Sequence, residues 1–162
     1  MTKGNEMQNR PQLIQEDYIG SEFWPWKVLV ICQCLNMAAW PVAEIVAKEI
    51  FEGFPGPYDC DEVSLDPETE SFKELFEIVR CIGFGNKRIK YLVEMSRQYT
   101  HCHEIYHEAY DRYPIMKFNG CGEYANDAWT LMVLGQRCSP KDKHLMRYAV
   151  KKGLLKEEDN VS

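Results

Sequence analysis

Asp142 lies in SPKDKHLMRY, with Lys141, Lys143, His144 and Arg147 close by in sequence. Neighbouring cations hold a carboxylate in its ionised form. In that form it can stabilise a cationic sugar or orient a water. The plain structural alternative is that Ser139 or Asp142 merely caps the last helix. Gly120 precedes Asp142 by 22 residues, in FNGCGEYANDAW. Glycines at both sides of a tight hairpin, here Gly120 and Gly122, let main-chain N–H groups approach an anion. The helix that follows adds its positive dipole end. A DNA phosphate fits such a clamp, which would position a duplex without reading its sequence. A lone G-x-G is also an ordinary helix–helix turn. A third stretch, GFGNKRIKYL, puts Phe84 between two glycines just ahead of a basic helix. An apolar ring there can wedge into a base stack while Lys87, Arg88 and Lys90 hold phosphates. Otherwise it is a core residue folded back over the helix start.

These groups need elements to hold them, and the pattern is helical almost throughout. Pro25 suits an early helix position, and WKVLVICQCLN continues as an almost wholly apolar, buried helix. A second helix is expected from Pro41 to Gly53, followed by a loop over 53–67 rich in Pro, Gly and Asp. Asp66 with Pro67 then reads as the start of a helix through ETESFKELFEIVRCIG, with Phe72, Leu75, Phe76, Val79 and Cys81–Ile82 as its apolar stripe. Further helices are expected from Asn86, over 102–111, over 123–135 and from Lys141 to Lys152. No run alternates as a strand does, and no internal repeat is evident. The expectation is an all-α domain of roughly seven to nine short helices. It spans residues 11–155, with a frayed segment at 1–10 and an acidic tail at 156–162.

Composition agrees with one globular domain: 162 residues, 45% hydrophobic and 12% aromatic suffice for a proper core. No apolar run approaches the roughly 20 residues of a spanning helix. MTKGNEMQNRPQ lacks the apolar region of a signal peptide, so the expected location is intracellular: cytoplasm, nucleoid or nucleus. The net charge of −6 is unevenly spread. Residues 1–83 carry 6 Lys and Arg against 15 Asp and Glu, whereas residues 84–152 carry 12 against 7. A basic half can face a polyanion even on an acidic protein; a solvated helical surface has the same composition. The seven cysteines are scattered without C-x-x-C spacing, which argues against a zinc knuckle or a tight iron–sulfur loop. They read as buried, reduced thiols. His101, Cys102, His103 and His107 are read as a polar face rather than a metal site, Trp24, Trp26 and Trp40 as core, and Glu44, Glu49 and Glu52 as a solvated helix face.

From Pro11 to Leu155 the chain resembles the helix–hairpin–helix DNA glycosylase superfamily (HhH-GPD, endonuclease III-like). Within it the likeness is to the catalytic domain of the methyl-CpG-binding thymine glycosylases. Five ordered segments carry it: LIQE, PWKVLVICQCLN, GFGNKRIK, NGCGEYANDAW and SPKDKHLMRY. The resemblance implies that Asp142 is the catalytic aspartate and that Gly120 and Gly122 contact phosphate, often with a monovalent cation. It implies that Phe84 is the intercalating wedge and that Gln15 and Tyr124 contact a flipped pyrimidine. Lys87, Arg88, Lys90 and Lys143 would join the DNA-binding surface. Tyr124 stands where bifunctional relatives carry a Schiff-base lysine, which a tyrosine cannot replace. The superfamily's four-cysteine iron–sulfur loop is also missing. Together these imply a cluster-free, monofunctional enzyme of base-excision repair; a monomer is expected. It would remove a mismatched, damaged or modified pyrimidine (thymine, uracil or a 5-substituted uracil) from double-stranded DNA. One departure is Met37–Ala38–Ala39–Trp40 after Leu35–Asn36, where the thymine glycosylases carry an arginine and small hydroxylated residues. Two other readings use the same scaffold: a phage-type transferase or pyrophosphorylase that hypermodifies thymine, and a non-catalytic DNA-binding module. Asp142 favours an enzyme over the pure binder.

Overall fold

The run WPWKVLVICQCL has no polar face wide enough to meet solvent, and it forms the central helix α1 (Trp24–Leu35). Pro25 sits in its first turn, where a missing N–H costs nothing. From Pro25 to Cys34 every residue except Lys27 is buried. Burying each large aliphatic side chain contributes about 1.5–3 kcal/mol, so this helix anchors the rest. The Trp26 indole N–H donates to Ser96 Oγ at 3.0 Å, which satisfies the polar atom of a fully buried ring.

The computed structural model describes residues 12–36, 38–83 and 85–156. Among them the regular elements are all helical. After α1 come α2 (Trp40–Gly53), α3 (Pro57–Asp61), α4 (Glu70–Val79), α5 (Gly85–Tyr106), α6 (Glu123–Ala128) and α7 (Lys143–Lys151). A 3-10 turn at Ile14–Tyr18 packs on α1, as do α2, α5 and α6. The chain is therefore all-α. Phe84, the segment 1–10 and the tail from 157 lie outside the described residues.

Four boundaries differ from the sequence reading. The expected loop at 53–67 contains α3, which starts on Pro57 and packs against α5. Helix α4 starts at Glu70 behind Thr69; Asp66 instead folds a turn, its Oδ1 accepting from Glu68 N at 3.0 Å. The two helices expected from Asn86 to 111 are one, α5, because no glycine or proline interrupts that run before Tyr106. His107 at φ 50 then breaks it. The helix expected over 123–135 widens after Ala128 into a π turn, Trp129–Val133, with Leu134 N donating to Trp129 O at 3.0 Å. Cys81, read as part of an apolar stripe, is exposed, since the 3-10 turn Arg80–Ile82 rotates it outward.

Candidate functional site

Between α5 and α6 the chain reverses at Asn119–Gly120, and Asn119 is held from two sides. Its carbonyl accepts from Gln33 Nε2 on α1 at 2.8 Å. Its N–H donates to Gln98 Oε1 at 2.8 Å, and its side-chain amide to Glu94 Oε2 at 2.7 Å, both on α5. Gly120 has φ +74, and a Cβ there would lie 2.8 Å from Gln33 Nε2 and 3.0 Å from Tyr91 Cβ. Only glycine meets both the conformation and the close approach. Gly122 is different. Its φ is −116, and an added Cβ would meet nothing within 4 Å. The carbonyls of Phe118, Asn119 and Gly122 already accept hydrogen bonds from Cys121 N, Gln33 Nε2 and Asn126 N.

Asp142 is the N-cap of α7, its Oδ1 accepting from His144 N and Leu145 N, both at 2.9 Å. Capping and chemistry are not exclusive, because Oδ2 has no hydrogen-bond partner among the described residues. Asp142 lines a cavity of about 500 Å³ together with Gly120, Gly122, Tyr124 and Cys32. Tyr124, in the first turn of α6, accepts a hydrogen bond from Gln15 Nε2 at 3.1 Å. Gln15 is fully buried, reaches Cys32 Sγ at 3.7 Å, and has no partner for its Oε1 among the described residues. A buried acceptor left unmade costs about 1–3 kcal/mol; Gln15 itself does not line the cavity and reaches it through the Tyr124 hydroxyl. Its 3-10 turn is pinned by Glu16, which accepts from Leu13 N at 2.6 Å and pairs with Lys151 Nζ at 2.7 Å.

Burial is the main cause that pushes the Tyr124 phenol far above its usual range; Cys32 and Asp142 add to it and the Gln15 bond opposes it. Tyr124 is therefore a neutral hydroxyl at any ordinary pH. Burial likewise keeps the Cys32 thiol protonated. On the cavity wall a carboxylate and a hydroxyl remain to act on a guest.

Lys87, Lys90 and Lys143 are exposed. Lys87 Nζ sits 5.7 Å from the Tyr91 ring centre, and Tyr91 packs where Gly120 lacks a side chain. Lys141 Nζ lies 3.6 Å from Glu123 Oε1, joining the approach to α7 with the start of α6. Three basic or glycine-bearing segments thus converge beside the cavity. Arg88 does not belong with the surface cations. It is buried, donating from Nη1 to Gln33 O at 2.6 Å and from Nη2 to Asn36 O. It adds a charged donor to the carbonyls at the end of α1.

His103 is drawn into an aromatic cluster, its Nδ1 3.4 Å from the Tyr113 hydroxyl. Of the three tryptophans read as core, Trp26 is buried, whereas Trp24 and Trp40 are only half-buried. Gln33, Trp40 and His144 are site residues that sequence reasoning missed. A single glutamine inside an apolar helix was the available signal for Gln33, since a buried amide requires partners.

No helix among the described residues is long and apolar enough to cross a membrane. No family model matches the chain. The chain is similar to a methyl-CpG-binding domain protein 4-like protein of Arabidopsis thaliana, 28% identical over 140 residues. That match takes in 84% of this chain but spans only 27% of the relative's length. The relative is named for a domain that binds methyl-CpG.

Proposed function

We propose that this chain is a monofunctional DNA glycosylase of the helix–hairpin–helix type, acting on a flipped pyrimidine in duplex DNA. The observation that carries the reading is the meeting of Asp142, Tyr124 and the glycine hairpin at one cavity. In this account Gly120, Gly122 and the exposed Lys87, Lys90 and Lys143 engage phosphates. The target base turns into the cavity, where the Tyr124 hydroxyl, held by the Gln15 amide, meets its edge. As the C1′–N1 bond breaks, the bonding pair leaves with the base. Asp142 stabilises the cationic sugar that results. A water then adds to C1′, giving up one proton while the departing base takes one. The products are an abasic site and a free base. With a neutral phenol at position 124 there is no amine to form a Schiff base, so the strand stays intact.

The test is to incubate the protein with duplexes holding thymine, uracil or 5-hydroxymethyluracil opposite guanine and to look for free base by chromatography. Released base with an uncut strand supports the reading; firm duplex binding without release of any base refutes it.

A further inference from the structure

Trp40 is the first residue of α2 and lines the large cavity together with Tyr124 and Asp142. It also borders a small recess beside it, shared with Arg147 and Tyr148. Trp26 and Trp129 are buried in the core; Trp40 is half-buried and lies on a concave wall. Its ring is held by His144, with centroids 4.7 Å apart and planes inclined by 49°. His144 in turn donates its main-chain N–H to Asp142 Oδ1 at 2.9 Å. The aromatic wall and the carboxylate are therefore fixed to one another through a single residue. Leu35 and Asn36, at the end of α1, also face the cavity.

We propose that Trp40 is the stacking face of this site: it binds the extruded base by its flat side, with His144 as the positioning residue beside it. The inference rests on the base-excision reading and adds to it a division of labour. Stacking on an indole tolerates every base, because each has a π face. Choice among bases must then come from the edge, where the Tyr124 hydroxyl, oriented by Gln15, offers a directional donor and acceptor. Trp40 supplies affinity for a planar ring and little discrimination.

The experiment uses two duplexes with guanine opposite the target. One carries a 2′-fluorinated uridine, which resists bond cleavage; the other carries a tetrahydrofuran abasic analogue. Both present the same phosphates. The uridine duplex should quench tryptophan fluorescence and the abasic one should not, and Trp40→Phe should remove that quenching while keeping most of the affinity. Trp40→Ala should weaken the uridine duplex roughly tenfold and leave the abasic duplex unchanged. Equal losses for both duplexes, or none for either, overturn the stacking role and leave the DNA reading standing. Failure of the unaltered protein to bind either duplex removes both. A melting curve of Trp40→Phe checks that the variant is folded.

Discussion

The side-chain amide of Gln33, on the central helix, donates to the main-chain carbonyl of Asn119 at 2.8 Å. The two residues are 86 positions apart. The bond fixes the hairpin to the most deeply buried element of the fold, so the cavity wall carrying Gly120 moves only with α1. Arg88 holds the same stretch of α1 from the other side through the Gln33 and Asn36 carbonyls. A site meant to hold a guest within a fraction of an ångström needs such backing.

The two hairpin glycines should respond differently to substitution. Gly120→Ala forces a side chain onto φ +74 and against Gln33, at a cost of about 1–3 kcal/mol. Its Tm should fall by several degrees. Gly122→Ala meets no neighbour and should leave Tm unchanged, whereas Gly122→Val should weaken binding to all duplexes alike if a phosphate approaches there. A Tm loss for Gly122→Ala, or none for Gly120→Ala, contradicts the geometry.

Arg88 and Lys87 are neighbours in sequence with opposite roles. Arg88→Leu strips the cation from two carbonyls at the end of α1 and should destabilise the fold by about 1.5–3 kcal/mol, read by urea unfolding. Lys87→Ala should leave unfolding untouched while reducing the slope of log affinity against log salt by about 0.9 on duplex DNA. An unaltered salt slope would take Lys87 out of the phosphate surface.

Stability should decline in alkali. Burial pushes the Cys34 and Cys60 thiols from 9.0 up to about 12, and Cys121 up to about 11. The folded chain then holds these protons more tightly than the unfolded chain does. The stabilisation is complete below pH 9 and is lost as pH rises through 11 to 12. From 9.0 to about 11, at about 1.4 kcal/mol per pH unit, Cys121 alone accounts for roughly 2–3 kcal/mol. Urea midpoints at pH 8 and pH 11 measure the loss, and Cys121→Ala should shrink it. Equal midpoints at the two pH values would mean that the thiols are not shielded.

Much of this architecture is legible in the residues, and the exceptions have physical causes. The apolar run of α1 and the glycine hairpin announce themselves through hydropathy and backbone freedom. So does the N-cap at Asp142, because an acidic residue before a helical run has few better uses. Arg88 could not be read as buried, since its partners are main-chain carbonyls 55 and 52 residues away that carry no sequence signal. Trp40 looked like core for a similar reason: hydropathy reports what a side chain prefers, not which cavity wall the start of α2 forms. The π turn after Ala128 follows from tertiary packing of Trp129 and Leu131, which local propensity does not foresee.

The central claim is that Asp142 performs base excision in the cavity it shares with Tyr124. The most direct measurement is single-turnover formation of alkali-labile sites in a duplex with uracil or thymine opposite guanine, comparing the unaltered chain with Asp142→Asn. The amide can still cap α7, so fold and duplex affinity should persist while abasic sites fall at least a hundredfold, on the order expected for loss of a preorganised charge. An Asp142→Asn protein that makes abasic sites at the original rate would contradict the account.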